Sequence, residues 1–410
     1  MATLHPFRAL RPDAANASPI AAVPYDVVST DEARALAEGN PQSFLRVSRA
    51  ELELPAGSDP YADAVYQRAA DNFAALRKSA LIVEDEPSVY FYRLQMGSHV
   101  QTGLAACFSI DEYDREIIKK HERTRRDKED DRTRHMLALG AQTGPVFLTY
   151  RASDDIDRVA AGVTRGEPII DFTAPDQVRH TLWRVGGADR DALVAAVAGI
   201  PALYIADGHH RAASAARARA EMRARSLPGT SLGDGADAST MLAVAFPHDQ
   251  VQILPYNRTV KDLGGLSPND FLAAIRAGFQ LEPGPAAPAR RGDIAMYFQG
   301  AWHTLRPRVA PDAKDPIGSL DVSVLQERLL AQVLKIADVR TDKRIDFVGG
   351  ARGTRALEQL VDSGKAAVAF SLFPVSVADL MAVSDAGEIM PPKSTWFEPK
   401  LRDGLLIHLI

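Results

Sequence analysis

The segment Tyr204-Ile-Ala-Asp-Gly-His-His-Arg-Ala-Ala-Ser-Ala215 has the clearest local pattern in this chain. Its first three residues are apolar and predict a short buried strand that ends at Ala206. The alanine-rich run that begins at the two histidines predicts a helix, because alanine is the best helix former. Asp207 and Gly208 therefore lie in a tight turn that joins the strand to the helix.

This turn predicts an anion-binding site. The first N–H groups of a helix have no intrahelical acceptor, and the helix dipole favours negative charge there. Gly208 lets a phosphate approach the backbone, and Arg211 adds a planar charge that suits phosphate oxygens. His209 and His210 can donate hydrogen bonds or transfer protons near neutral pH. Asp207 could hold Mg²⁺ or accept a proton from an attacking hydroxyl, with a plain helix cap as the structural alternative.

A second polar cluster is Lys119-Lys-His-Glu-Arg-Thr124. Glu122 is a candidate general base or metal ligand, and Thr124 is a candidate phosphate or substrate contact. The cluster differs from the zinc-protease pattern, because Arg125 stands where the second histidine would be. The many charges of alternating sign that follow also fit a solvated helix face, and we predict one long helix over residues 115–139.

A third candidate is Val23-Pro-Tyr-Asp-Val27. Tyr25 and Asp26 follow a predicted strand at a turn shaped by proline. Residues in such loops often contact ligands, so Tyr25 and Asp26 are candidate substrate contacts. An ordinary turn explains the pattern equally well.

The composition is that of a globular protein. The chain has 410 residues, enough for two or three domains, with 46% hydrophobic and 25% charged residues. The net charge of −5 argues against a surface devoted to nucleic acid. The single cysteine, Cys107, allows no intramolecular disulfide and fits a reducing compartment. The chain shows no export signal and no apolar run of ~20 residues, so we expect a cytoplasmic protein without membrane contact.

Short strands and helices alternate along the chain, which predicts a mixed α/β (α+β) fold. We place a core with insertions at residues 1–282 and an additional α/β portion of unknown role at residues 283–410. The division follows from the run Pro283–Ala289, which has the composition of a linker. Local patterns further predict a strand that begins at Ile20 and runs into a loop at Pro24, a helix that begins after Ser29, a hairpin around Gly97-Ser98, a flexible loop at 229–235 and an amphipathic helix at 323–337.

Several ordered motifs resemble those of one known family. The chain resembles, from end to end, a large family of bacterial and archaeal proteins long classed as a domain of unknown function, whose characterised members are free serine kinases. The landmarks are Pro6-Phe-Arg-Ala-Leu-Arg-Pro, Val23-Pro-Tyr-Asp-Val, Asn40-Pro-Gln-Ser-Phe-Leu-Arg-Val, His121-Glu-Arg-Thr, Tyr204-Ile-Ala-Asp-Gly-His-His-Arg and Met390-Pro-Pro-Lys-Ser-Thr-Trp-Phe-Glu-Pro-Lys-Leu.

The resemblance implies a nucleotide-binding core like that of ParB partition proteins and sulfiredoxin. Gly208-His-His-Arg211 matches their Gly-x-x-Arg turn, so His210 and Arg211 inherit the phosphate-binding role. His209 stands where sulfiredoxin has its reactive cysteine, which rules out peroxiredoxin repair. The activity implied is phosphoryl transfer from ADP or ATP, with Mg²⁺, to the hydroxyl of free L-serine, giving O-phosphoserine.

Two alternatives to the serine kinase function remain. They are a kinase or nucleotide hydrolase acting on another hydroxylated metabolite, and a ParB-like regulator that binds nucleotide without turnover. Nucleic acid is not an expected partner, and a homo-oligomer is compatible with the sequence. The predicted catalytic residues are Asp207, Glu122 and His209, the nucleotide-phosphate ligands are Gly208, His210 and Arg211, the substrate contacts are Tyr25, Asp26 and Thr124, and the metal ligand is Asp207.

Overall fold

The computed structural model describes residues 1–55, 57–225 and 237–410. The loop predicted at 229–235 lies outside these residues. Contacts between Cα atoms divide the chain into two compact units. The first unit contains residues 1–120, 124–251 and 399–410, and the second contains residues 121–123 and 252–398.

Helices of the first unit surround its main sheet and form a smaller layer near the start of the chain. They are α1 (Ala14–Ile20), α2 (Thr30–Ala37), α3 (Leu45–Ser48), α4 (Asp63–Ser79), α5 (Ile110–Asp114), α6 (Arg126–Leu139), α7 (Asp154–Val163), α8 (Gly187–Val197) and α9 (His209–Arg225), with a 3-10 turn at Ala50–Glu53. Its strands up to residue 251 are β1 (Leu4–His5), β2 (Leu10–Pro12), β3 (Leu81–Val83), β4 (Val89–Met96), β5 (His99–Ser109), β6 (Ile118–Lys119), β7 (Ala141–Gln142), β8 (Val146–Tyr150), β9 (Ile170–Thr173), β10 (Val178–Val185), β11 (Leu203–Asp207) and β12 (Thr240–Pro247).

The main sheet of the first unit is mixed. Its order is β6-β11-β8-β12-β5-β4-β10-β9, with β1 paired to β5. The pairs β6–β11 and β8–β12 are parallel and the other pairs are antiparallel. Strands β8 and β12 are buried along their whole length, as expected for strands covered on both faces. The predicted mixed α/β fold is confirmed.

Two local predictions for this unit are confirmed by the caps and turns. Ser29 caps α2 and forms a capping box, because its hydroxyl accepts from Glu32 N–H and the Glu32 carboxylate accepts from Ser29 N–H. Strands β4 and β5 form the predicted hairpin around Gly97-Ser98. Cys107 is buried in β5, so it is a core residue.

Two other predictions are wrong. The helix expected over 115–139 begins only at Arg126, because Ile118 and Lys119 pair with β11 as the edge strand β6. The strand expected from Ile20 to the loop at Pro24 is also absent from this described segment. Helix α1 ends at Ile20, and Ala22 makes a single antiparallel bridge to Asp403.

The second unit is built on an antiparallel sheet of order β15-β17-β16-β19-β14-β18, with a separate pair β13–β20. Its strands are β13 (Gln252–Leu254), β14 (Tyr256–Val260), β15 (Phe279–Pro283), β16 (Ile294–Phe298), β17 (Ala301–Pro307), β18 (Ile345–Gly349), β19 (Val368–Leu372) and β20 (Trp396–Glu398). Its helices are α10 (Pro268–Gly278), α11 (Asp321–Leu325), α12 (Gly353–Asp362) and α13 (Val377–Asp385), with a π-helical segment at Gln326–Ala331 and a 3-10 turn at Gly350–Arg352.

The boundary predicted at residue 282 differs from the division into units. Residue 282 lies inside β15, and the run Pro283–Ala289 leads towards β16 in the same sheet. Its proline and glycine content reflects a loop within one sheet. The amphipathic helix expected at 323–337 is realised only as α11 and the π-helical segment that follows it.

The last twelve residues return to the first unit. Strand β21 (His408–Leu409) pairs with β7, and Ile407 exchanges two backbone hydrogen bonds with Leu10. Leu405, Leu406 and Ile407 are at most 1% exposed. Among the described residues, no helix has the length and apolar character needed to cross a membrane.

Candidate functional site

The predicted strand, turn and helix are present as β11, Gly208 and α9. Gly208 has φ = +90°, a conformation that disfavours residues with a side chain. An added Cβ would also lie 3.2 Å from Arg211 Nε. The carbonyl of Gly208 accepts from Ala212 N–H at 3.0 Å, so the helix begins directly at the turn. Glycine is therefore required here for two reasons: the positive φ of the backbone and the close approach of the Arg211 side chain.

Asp207 is an ionised, paired carboxylate. Its Oδ1 accepts from Gly208 N–H at 2.8 Å, and its Oδ2 accepts from Lys400 Nζ at 2.9 Å. Burial alone would raise the pKa of Asp207, but Lys400 and Arg211 outweigh burial and lower the pKa well below its usual range. A carboxylate held so strongly in its charged form is a weak proton acceptor. Both oxygens are engaged, so Mg²⁺ bound at Asp207 would compete with Lys400.

Arg211 lies beneath the turn and is 6% exposed. Its Nη1 donates to the carbonyl of Pro145, whereas its Nε is buried and has no hydrogen-bond partner among the described residues. Burial alone would lower the pKa of Arg211, but Asp26, Asp207 and Asp403 raise it. Arg211 therefore carries a fixed positive charge directly under the start of α9.

The two histidines of the turn differ in exposure. His209 is 5% exposed, whereas His210 is partly exposed. His210 Nε2 accepts from Arg125 N–H at 3.0 Å, which assigns the tautomer with its proton on Nδ1. Thr124 precedes this contact, and its hydroxyl donates to the carboxylate of Glu129. Thr124 is thus engaged at the start of α6.

Tyr25 and Asp26 lie close enough to Arg211 for their charges to act on it. Tyr25 is 8% exposed, and the Arg132 guanidinium lies 4.2 Å from the centre of its ring. Burial and then Asp26 raise the pKa of Tyr25, so the phenol stays neutral. Asp26 itself is exposed. Tyr25 is thus a packed aromatic residue, and Asp26 is a carboxylate open to solvent.

The structure adds two residues that sequence reasoning did not assign, Lys400 and Asp403. Asp403 exchanges backbone hydrogen bonds with Ala22 and is 3% exposed. Burial raises the pKa of Asp403 to about 7, with Asp26 adding to the rise and Arg211 opposing it. Lys400 belongs to the closing landmark of the sequence, which was the only signal that pointed to this segment.

Glu122 lies in the second unit, where two sequence landmarks meet. The carbonyl of His121 accepts from Met390 N–H at 2.9 Å, and His121 Nε2 lies 3.4 Å from Thr395 Oγ1. Arg258 is buried and donates to the carbonyls of Pro392 and Lys393. The segment 390–395 therefore has a fixed backbone path beside His121. Of the predicted site residues, Glu122 belongs to the second unit and all others belong to the first.

Comparison with known proteins gives a family match. The family described as "Protein of unknown function (DUF1015)" matches residues 4–323. No curated protein matches the chain.

Three solved structures illustrate the structural likeness. A conserved hypothetical protein from Pyrococcus furiosus is 14% identical, with a TM-score of 0.38 over 74% of this chain and 95% of that one. A free serine kinase in complex with AMP is 14% identical, with a TM-score of 0.37 over 73% and 92%. SbnI with a C-terminal truncation, from Staphylococcus aureus, is 14% identical, with a TM-score of 0.41 over 74% and 87%. The match over residues 4–323 establishes that this chain belongs to the DUF1015 family.

Proposed function

We propose that this protein is a small-molecule kinase that transfers a phosphoryl group from ADP or ATP to the hydroxyl of free L-serine. The observation that carries the proposal is the turn at Gly208, where a buried, charged Arg211 lies under the start of a 17-residue helix. Such a helix start attracts phosphate through its N–H groups and its dipole, and the arginine adds a full charge. The resemblance of the sequence landmarks to free serine kinases supplies the acceptor.

In this proposal the nucleotide phosphates bind the first turn of α9, next to Gly208, His210 and Arg211. The core belongs to the ParB and sulfiredoxin type, because Gly208–Arg211 matches the phosphate-binding turn of those proteins. Mg²⁺, bound together with the nucleotide, would neutralise phosphate charge. Because both Asp207 oxygens are engaged, we derive no step through a metal ion at Asp207.

The phosphoryl transfer requires little covalent chemistry from the protein itself. The serine Oγ forms a bond to the terminal phosphorus as the bond from that phosphorus to the bridging oxygen breaks, and AMP or ADP leaves. The serine hydroxyl proton goes to a carboxylate. The low pKa of Asp207 disfavours it as the acceptor, and Glu122 is the other candidate that the sequence offers; Asp207 is kept as the partner of Lys400. Positioning and charge neutralisation supply most of the acceleration.

Phosphorus NMR tests the proposal directly. Purified protein is incubated with Mg²⁺, L-serine and either ADP or ATP, and the O-phosphoserine signal is followed. We expect Arg211→Ala to lower turnover by about 10³-fold, because it removes transition-state charge stabilisation. The exposed Arg158→Ala is the matched control and should leave turnover unchanged.

Two further variants separate the carboxylates. Glu122→Gln should abolish the signal, whereas Asp207→Asn should weaken it through Lys400. If Arg211→Ala retained normal nucleotide binding and turnover, the phosphate site would be wrongly assigned. If wild-type protein bound nucleotide but made no phosphoserine, the acceptor would be wrong, and other hydroxylated metabolites would be tested in the same assay.

A further inference from the structure

Most charges near Arg211 are neutralised in pairs. Arg211, Asp26 and Asp403 are the exceptions, since none of the three forms an ion pair with any residue that the structure describes. The closed pairs are Lys400–Asp207 at 2.9 Å, Arg132–Asp131 at 2.8 Å and Arg402–Asp176.

The three unpaired groups leave one negative charge in excess when both carboxyls are ionised. Arg211 supplies one positive charge, while Asp26 and Asp403 supply two negative charges. Asp26 is exposed and Asp403 is buried, so the excess charge extends from solvent towards the interior. A ligand that brings a single positive charge would balance this set.

The backbone of Asp403 is fixed, whereas its carboxyl group is not fully satisfied by the described residues. Its Oδ1 is buried and has no partner, although the backbone is fixed on both sides by Ala22. Gly144 makes room for the carboxyl, because an added Cβ there would lie 2.5 Å from Asp403 Oδ1. A buried polar atom without a partner is costly, and native proteins rarely keep one without a reason.

Arg211, whose charge acts on Asp403, also has an unsatisfied buried donor. Arg211 Nε is buried and has no partner, while Arg211 Nη1 is held by the carbonyl of Pro145. Pro145 follows Gly144 in the chain, so Asp403 and Arg211 contact adjacent residues at the start of β8. Asp403 Oδ1 is therefore left as an acceptor for a donor that a ligand brings.

We propose that Asp403, together with Asp26, binds the ammonium group of the acceptor, so that the acceptor is selected as a free α-amino acid. This inference rests on the proposed kinase function and names the residues that choose its substrate class. A charge-assisted hydrogen bond from the ammonium to a buried carboxylate is stronger than one between neutral groups. Hydroxy acids of the same size lack that donor and leave Asp403 unsatisfied.

The kinetic test compares L-serine with 3-hydroxypropionate, which has the same hydroxyl and carboxylate but no ammonium. We expect Asp403→Asn to lower kcat/KM for L-serine about 100-fold, or about 2.7 kcal/mol. The same variant should leave kcat/KM for 3-hydroxypropionate within about 3-fold, because no ammonium is lost. Asp26→Asn should lower the value for L-serine about 10-fold, since water screens the exposed carboxylate. The exposed Asp189→Asn is the control and should change neither acceptor.

Equal losses with both acceptors in Asp403→Asn would overturn the proposal, because they would indicate a structural role. Unchanged selectivity in that variant would overturn it as well. Thermal unfolding of each variant shows whether the fold is intact, and the exposed Asp26 provides a second variant that the fold should tolerate.

A calorimetric titration separates this inference from the reaction itself. L-serine, L-homoserine and their deaminated analogues are titrated into wild-type protein and Asp403→Asn, each with AMP present. Binding of an amino acid that depends on Asp403, without any phosphorylated product, would refute the kinase and retain the ammonium site. If no amino acid binds better than its deaminated analogue, the ammonium site is refuted.

Discussion

Asp207 and Asp403 are two carboxyl groups near the same arginine, and the fold treats them in opposite ways. Asp207 accepts hydrogen bonds on both oxygens and is paired with Lys400. Asp403 is buried, and within the described part of the chain it makes no ion pair and has one oxygen without a partner. The pKa of Asp207 is lowered, whereas the pKa of Asp403 is raised to about 7.

The contrast separates stability from function within one small region. A paired carboxylate adds to the stability of the folded state. Its oxygens already accept hydrogen bonds from its partners, which leaves it little capacity to bind a ligand or accept a proton. An unpaired buried carboxyl lowers stability, so its presence calls for a task that the free protein does not show. Asp207 is therefore a positioning residue, and ligand recognition by Asp403 is the task that we propose.

Removing residues 399–410 should have the largest effect on the first unit, because both Lys400 and Asp403 are lost. The deletion also removes β21 and the buried side chains of Leu405 and Ile407. Each large buried aliphatic residue contributes about 2–5 kcal/mol, which is comparable with the whole stability of a domain. We expect the first unit to lose cooperative unfolding.

Hydrogen exchange of peptides over 203–215 measures that loss in the first unit. Peptides from β16 and β19 in the second unit serve as the internal control. Unchanged protection of β11 in the truncated chain would show that the closing segment is dispensable for the fold, and the site would then need another explanation.

Replacing Asp403 by asparagine tests the difference between the two carboxyl groups through the pH dependence of stability. The unfolded pKa of aspartate is about 3.9, and the folded pKa of Asp403 is about 7. Between these values the folded state binds more protons, so wild-type stability falls as the pH rises. Asparagine does not titrate. The free energy of unfolding of Asp403→Asn should therefore exceed that of wild type by up to about 4 kcal/mol at pH 8.

The charges that act on Asp403 are those of Arg211, Asp26, Arg132 and Arg402. Unfolding followed at pH 4.5 and at pH 8 should show a small difference between variant and wild type at the lower pH and a larger one at the higher pH. An equal difference at both values would mean that Asp403 does not titrate in this range.

The sequence predicts a functional role for Asp207 but gives no signal for Asp403. Asp207 stands between an apolar run and an alanine-rich run, so strand, turn and helix can all be predicted from neighbouring residues. Lys400 reaches Asp207 across 193 positions of the chain, and no local pattern near Lys400 indicates that contact. The closing motif contains Lys400 but gives it no role, and Asp403 lies beyond that motif.

Long-range pairing also explains where the predicted elements fail. Residues 118–119 have helix-like, charged surroundings, yet their pairing with β11 makes them a strand. The run Pro283–Ala289 has the composition of a linker, yet it joins strands of one sheet. In both cases the decisive partner is distant in sequence, so composition alone points to the wrong structure.

Replacing Lys400 by methionine tests the paired side of the comparison, with a smaller expected effect. Asp207 would lose its partner while remaining largely enclosed, which costs about 3–5 kcal/mol for a fully buried pair. Because the Asp207 side chain is 28% exposed, we expect a loss of about 2 kcal/mol at pH 7. Lys400→Arg should recover most of it, and the exposed Lys365→Met should change little.

The pH dependence of the Lys400 variant has the opposite sign to that of Asp403. In wild type the pKa of Asp207 is lowered, so the stability that the pair contributes is present above about pH 4 and is lost as the pH falls through the folded pKa. Without Lys400, burial is opposed only by Arg211 and the Gly208 N–H, so the pKa of Asp207 rises relative to wild type and acid relieves the unpaired charge. The difference between wild type and Lys400→Met should therefore shrink below pH 4, as measured by hydrogen exchange of β11. A difference that persisted at low pH would mean that Lys400 stabilises the fold by packing and not through the charge of Asp207.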